Sequence, residues 1–332
     1  MMKRRLFFFI FALALLPLLF CGGYYTFFLR QTVSPPTPIT ISIARGSSFG
    51  AVAQKLHGAG VVSNVFSFKL LARLRRDSAA IQAGDYHFTE PATPGQILDR
   101  LVAGDVQLHR LTIPEGFAIK EIAERLQHSE FQDAAAFLPL TREPALLREL
   151  GIKAASLEGY LFPETYTFDS RTNSRQLIEA MVDQCLAVLT PALLAKAKEQ
   201  NLNRHQLLTL ASIIQKEAGN NSEMPLISAV FHNRLQRGIA LQADPTVIYG
   251  VKDFDGNLTR RHLREITPYN TYRVPGLPPG PIASPGQAAL QAAANPASVN
   301  YLYFVARGDG SHKFSSTLRE HNAAVRRYQL KQ

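Results

Sequence analysis

Residues 39–57, ITISIARGSSFGAVAQKLH, decide the fold class. Ile39, Ile41 and Ile43 alternate with polar residues, the period-two pattern of a half-buried strand. Arg45-Gly46-Ser47 then makes a turn, after which Phe49, Val52, Ala53 and Leu56 recur at helical spacing. The pattern returns seventy residues later, with Leu111, Ile113 and Gly116 followed by Ile119, Ile122, Ala123 and Leu126. The offset is constant: Ile43 matches Ile113, Gly46 matches Gly116, Ala53 matches Ala123 and Leu56 matches Leu126. Two strand–glycine turn–helix units in one chain predict an α+β fold.

Between the two copies the spacing predicts a helix over 65–75, a strand around 85–88 and a helix from Thr93 to Ala103. Thr93 is suited to the N-cap, Pro94 to the first helical position and Gly104 to the C-terminal end. This stretch resembles the LysM fold family, whose strand–turn–helix opening carries a glycine turn. That resemblance implies binding to N-acetylglucosamine-containing glycans. A generic α+β spacer is the other reading of the same pattern.

Outward from the repeat, the N-terminus sets the compartment. Lys3, Arg4 and Arg5 precede Leu6–Leu29, a run without a charged residue. As a helix it would be about 36 Å long, enough to cross a bilayer with some tilt. No small-residue cleavage pattern follows it, and Phe20 and Leu18 are too bulky for a lipoprotein site at Cys21, so an uncleaved anchor is expected. The basic end then stays cytoplasmic and the rest lies outside. Net charge is +10, of which these three cations leave +7 for the remainder. An extracytoplasmic placement argues against nucleic acid as the partner of that charge. The organisation expected is a cytoplasmic end (1–5), a transmembrane helix (6–29), a linker (30–38), a LysM-like subdomain with connecting helices (39–150) and a catalytic domain (151–332).

The chain has two cysteines, and Cys21 and Cys185 are not expected to pair. The nine histidines are scattered, with no HExxH pair, so no metal is expected; no phosphate loop is present and no cofactor is indicated.

The most informative helix is 205–218, HQLLTLASIIQKEA. Asn203 can cap its start and Gly219 its end. Leu207, Leu210, Ala211 and Ile214 form the apolar stripe, and Glu217 falls on it in the last turn. Apolar surroundings and the negative end of the helix dipole both disfavour an ionised carboxylate there. A carboxyl group protonated near neutral pH can protonate a glycosidic oxygen. A solvated helix end, or pairing with Arg234, is the structural alternative. Asp244-Pro245 reads as a helix start, with Asp244 as cap and Pro245 at the first position. Residues 267–286 are too rich in Pro and Gly for regular structure and suit the wall of a groove.

Several blocks are recognisable together: LEGYLFPETY (157–166), ASIIQKEA (211–218), VFHNRL (230–235), LQADPTVIYG (241–250), GLPPGPIASPG (276–286), YLYFVA (301–306) and HKFSSTLREHN (312–322). In this order they resemble the endolytic murein transglycosylase family, also called YceG-like or MltG. The resemblance covers residue 39 to the C-terminus. It implies a single membrane helix and lytic, non-hydrolytic cleavage between N-acetylmuramic acid and N-acetylglucosamine. The family's catalytic glutamate maps onto Glu217. Family members often read E-K-E where this chain has Gln215-Lys216-Glu217, so Glu217 is the one carboxylate of the triplet.

Glu158, Tyr160, Gln242, Asp244, Tyr249, Asn270 and Tyr272 are the candidates for holding sugar. The partners implied are peptidoglycan glycan strands, membrane lipid through residues 6–29, and cell-wall synthases beside which elongation would be ended. The location implied is the inner (plasma) membrane, single-pass, with a periplasmic catalytic domain. Two other functions stay open at this level: a non-catalytic glycan-binding scaffold, and a hydrolytic muramidase using Asp244 or Glu158 as second carboxylate.

Overall fold

The computed structural model describes residues 15–16 and 19–330. Much of the expected transmembrane run, including 6–14, lies outside the described residues. The fold is α+β, and the chain divides into two compact units, Met1–His109 with Thr167–Arg171, and Arg110–Tyr166 with Thr172–Gln332.

In the first unit a helix reaches residue 30 (α1, described from 19). It is followed by β1 (Ile39–Ile43), α2 (Phe49–Gly58), α3 (Val65–Arg75), β2 (Gly84–Phe88) and α4 (Pro94–Ala103). β1 and β2 pair antiparallel, Ile39 opposite Phe88 and Ile43 opposite Gly84. The alternation in 39–43 places Ile41 and Ile43 in the core with Val52, Ala53 and Leu56 from α2. The helix starts follow local chemistry: Ser48 and Asn64 accept from Ala51 and Ser67 backbone N–H groups, and Thr93 forms a capping box with Gln96.

The end of α1 departs from the sequence reading. Phe28, assigned to the membrane run, is 1% exposed and belongs to the core of this unit. Val33, in the segment read as a linker, exchanges two 3.0 Å backbone hydrogen bonds with Ala92. A long apolar run does not by itself separate lipid-facing from core-facing residues. Among the described residues no single helix is long and apolar enough to cross a membrane.

The second unit takes up the repeat. β3 (His109–Thr112) pairs with β4 (Thr165–Phe168), and the chain passes between units within these strands. α5 (Ile119–Gln127) follows β3 as α2 follows β1. Gly46 and Gly116 adopt φ of 78° and 79°, the left-handed conformation that glycine reaches without a Cβ penalty. α6 (Ala134–Leu140) and α7 (Pro144–Glu149) follow. The unit begins forty residues before the boundary at 150 expected from the sequence, because α6 packs on both α5 and α8 (Ser174–Val188).

Next come α9 (Pro191–Glu199), α10 (Arg204–Glu217), α11 (Met224–Gln236), α12 (Asp244–Gly250), α13 (Arg260–Arg264), α14 (Gln287–Ala294), β5 (Tyr303–Ala306), β6 (His312–Ser315) and α15 (Leu318–Tyr328). α10 is the centre of the unit, packed on α9, α11, α12 and α14, with Leu207, Leu208, Leu210, Ala211, Ile213 and Ile214 buried. β5 and β6 form an antiparallel hairpin against α15. Residues 267–286 contain no regular element.

Candidate active site

α10 begins with Asn203, whose side chain accepts from Gln206 N–H while Gln206 reaches back to Asn203 N–H. It ends at Glu217, so the last turn delivers three consecutive side chains to three places. Gln215 Oε1 accepts from Gly286 N–H (3.0 Å), and Lys216 Nζ donates to Gly116 carbonyl oxygen (3.2 Å). One turn earlier, Ser212 Oγ accepts from Ile282 N–H (3.0 Å). These bonds fasten the proline-rich loop and the second glycine turn to α10. Glu217 makes no such bond; it lines a cavity of about 390 Å³.

The cavity is built by elements far apart in sequence: Arg234 from α11, Gln242 and Asp244 at the start of α12, Tyr272 from the long loop, Phe304 and His312 from the hairpin and His321 from α15. Dense protein around the half-buried Glu217 carboxyl pushes its pKa up to about 8. The neighbouring Asp244 charge adds to the rise, and Arg234 pulls the other way. The burial cost of an isolated carboxylate thus outweighs the nearest cation. Among the described residues Glu217 has neither a side-chain hydrogen bond nor an ion pair that would hold it ionised.

Arg234 explains itself through the backbone. Its Nε donates to Leu302 carbonyl oxygen (2.7 Å), and its Nη1 donates to Ala240, Leu241 and Gln242 Oε1. The guanidinium also lies over the Tyr303 ring, 5.2 Å from the centroid. It ties the hairpin to the loop before α12 and is not Glu217's salt-bridge partner, the alternative that sequence left open. Gln242 sits in the left-handed region (φ 53°), held by its N–H on Thr271 carbonyl oxygen (3.1 Å).

Asp244 is not the cap expected of it. Ala243 occupies that position without a side-chain bond, and Asp244 and Pro245 are the first two helical residues. The Asp244 carboxylate instead accepts from Tyr272 hydroxyl (2.7 Å), and burial, with this bond and the Asp244 charge adding to it, pushes the phenol pKa well above its ordinary value.

Three of the seven sugar-site candidates, Gln242, Asp244 and Tyr272, therefore line the Glu217 cavity; four do not. Asn270 is 0% exposed, and its amide donates to the carbonyls of His262, Leu263 and Glu265, closing the end of α13. Its Oδ1 accepts from Tyr272 N–H (3.0 Å), so it positions the tyrosine from beneath. Glu158 is buried and accepts from Ile119 N–H (3.1 Å) and Tyr249 hydroxyl (3.0 Å). Ala118 precedes α5 with no side-chain oxygen to offer, and Glu158 supplies one from across the unit. Burial raises its pKa to about 7 against these two bonds. Tyr160 is buried with its hydroxyl 3.0 Å from His205 Nδ1. In the same aromatic stretch Phe162 and Phe168 are core residues.

Two histidines of the cavity escaped sequence reading as site residues. His312 pairs through Nδ1 with Glu223 (2.8 Å), and His321 stacks on Tyr303, with burial and the Arg234 charge lowering its pKa. The only signal for them was the block HKFSSTLREHN, since histidines nine residues apart carry no ligand or helix-face pattern. Among the described residues no group of three His, Cys, Asp or Glu side chains is arranged to hold a metal ion.

Residues 41–327, which include every element that builds this cavity, match a known family model, described as the YceG-like family. The chain belongs to the YceG-like family. It is 32% identical over 308 residues to the Bacillus subtilis protein named endolytic murein transglycosylase, covering 88% of this chain and 85% of that one. A Streptococcus pneumoniae protein of the same name is 29% identical; 94% of this chain matches and spans 63% of that longer relative. A solved structure of a YceG-like protein from Listeria monocytogenes is 33% identical, with a TM-score of 0.59, covering 86% of this chain and 99% of the other.

Proposed function

We propose that the protein is a peptidoglycan lytic transglycosylase that cuts glycan strands internally, with Glu217 as its acid and base. The observation that carries this reading is the Glu217 carboxyl group, placed on the cavity by the last turn of α10 with no hydrogen bond or ion pair among the described residues, where burial pushes its pKa up to about 8. The names of the family relatives supply the polymer.

Glu217 in its acid form protonates the glycosidic oxygen between N-acetylmuramic acid and N-acetylglucosamine, and the C1–O bond breaks. Positive charge develops on the muramic ring as negative charge appears on Glu217. Arg234, whose charge favours the ionised form of Glu217, supports it at that moment. Ionised Glu217 then takes the proton from the muramic C6 hydroxyl, whose oxygen attacks C1. The product is a 1,6-anhydro end; no water is consumed and Glu217 returns to its acid form. One carboxyl group suffices, unlike the paired carboxylates of most glycoside hydrolases.

The presence of Asp244 in the same cavity favours a second reading, hydrolysis with Asp244 activating water. The test is full-length protein in detergent on uncrosslinked glycan strands, with products weighed by mass spectrometry beside E217Q. Products one water lighter than hydrolysis fragments, absent with E217Q, support the lytic reading. Full-mass reducing ends would overturn it in favour of a muramidase. Intact strands with binding retained would make the protein a scaffold.

The same reading places the chain in the plasma membrane, with its basic end in the cytoplasm and both units outside. Support comes from the uncharged run after Arg5 and from Leu19, Phe20 and Phe27, which α1 leaves exposed. The β1–α2–α3–β2 order around a glycine turn supports a LysM-like, glycan-binding first unit. Cuts close to the membrane would end strand elongation beside the synthases.

A further inference from the structure

α3 buries one face, Ser67, Phe68, Leu71 and Ala72, in the core of the first unit. Its other face is unusual. Phe66 is 77% exposed and Leu74 64% exposed, with Leu70 between them at the same four-residue spacing. Lys69, Arg73 and Arg76 run beside this stripe, and none has an ion pair among the described residues. Arg75 is different: it is paired with Asp77 and Asp99. An apolar stripe flanked by unpaired cations matches a helix lying in a membrane interface, where rings and aliphatic groups enter the acyl boundary and cations meet anionic headgroups.

The position of the helix supplies the second argument. Ser63, just before the Asn64 cap of α3, donates its hydroxyl to Gln31 Oε1 (3.1 Å), immediately past the end of α1. Phe28 in the core fixes the end of α1 to the same unit. The exposed stripe therefore begins at Phe66, three residues after Ser63, whose hydroxyl bonds the residue that follows α1, and α1 itself exposes Leu19, Phe20 and Phe27.

We propose that the Phe66–Leu74 face of α3 lies on an anionic lipid bilayer. This rests on the anchor reading of the N-terminal run, and adds a second contact that orients the first unit against the membrane.

The chain contains no tryptophan, so F66W and, independently, L74W would each be the sole reporter. Full-length protein would be placed in phosphatidylcholine vesicles with or without phosphatidylglycerol, and floated to score membrane association. The result expected is a blue-shifted tryptophan emission that is quenched by chains brominated near the headgroup, in the phosphatidylglycerol vesicles. K69Q and R73Q should each lower the engaged-to-free ratio about fivefold, read as lost quenching. Unshifted, unquenched emission from both reporters in protein that floats would overturn the inference while leaving the anchor intact. A blue shift without bromine quenching would also overturn it, since a second copy of the chain then covers the face. Protein that fails to float would remove the anchor reading and this inference together.

Discussion

Tyr272 hydroxyl donates a 2.7 Å hydrogen bond to Asp244 in the cavity that Glu217 lines, and to the rise that burial gives the Glu217 pKa the Asp244 charge adds its own. Asp244 thus acts on the acid without being its hydrogen-bond partner.

D244N removes the like charge, so the Glu217 pKa should fall. As a general acid Glu217 works below its pKa, and kcat/KM should decline as pH rises through about 8 in the wild type. In D244N that decline should move to lower pH, with anhydro products retained. A pH–rate profile checks this; complete loss of turnover at every pH would instead assign Asp244 a direct chemical role.

E217Q should lower turnover by about 10²–10⁴-fold, the usual worth of a general acid. Its stability should change in the opposite sense. The folded pKa of Glu217 lies above its unfolded value, so the native state binds more protons and wild-type stability declines with rising pH between 4.5 and about 8. E217Q lacks this term and should melt higher than wild type at pH 8, with the gap closing toward pH 4.5. Thermal unfolding across that range measures it.

E158A leaves the Ile119 N–H and the Tyr249 hydroxyl without their acceptor, both in a buried setting. A loss of about 1–3 kcal/mol is expected, measured by denaturant titration. E158Q keeps an acceptor oxygen and should recover part of it. Glycan affinity should be unchanged by either, because Glu158 does not line the cavity.

G219A tests a close approach. A Cβ at Gly219 would collide with the Gly310 carbonyl oxygen, which is backbone and cannot swing away. The clash should cost about 1–3 kcal/mol and displace the 308–310 turn from the end of α10, lowering turnover more than binding. Melting temperature and a kcat-against-KM comparison would show both.

F28A should destabilise the first unit by about 3–5 kcal/mol, the cost of removing a fully buried ring. Amide hydrogen exchange in detergent, followed over 39–103, would show the loss. A purely lipid-facing Phe28 would leave that exchange unaltered.

The repeat was readable because each copy needs only local information. Alternation in 39–43, a glycine able to take positive φ, and helical spacing from Phe49 are all properties of neighbouring residues. The same holds for Asn203 and Thr93 as caps and for Glu217 on the last turn of an amphipathic helix. Asp244 shows where that information ends. An Asp before a Pro reads as a cap, yet the backbone starts the helix one residue earlier and Tyr272 claims the carboxylate. Phe28 shows it again, since apolar character alone cannot tell lipid from protein core.

By itself the sequence determined the α+β class, the two glycine turns, the helix that carries Glu217 and the resemblance to one family, because periodicity and capping are short-range. Only tertiary structure decided which polar residues share the cavity. Gln242, Asp244, Tyr272, His312 and His321 meet Glu217 there, while Glu158, Tyr160, Tyr249 and Asn270 turn to backbone groups and side chains elsewhere. A buried polar group must find a partner wherever the fold puts one, and for Glu158 the two partners, Ile119 and Tyr249, lie 39 and 91 residues away along the chain.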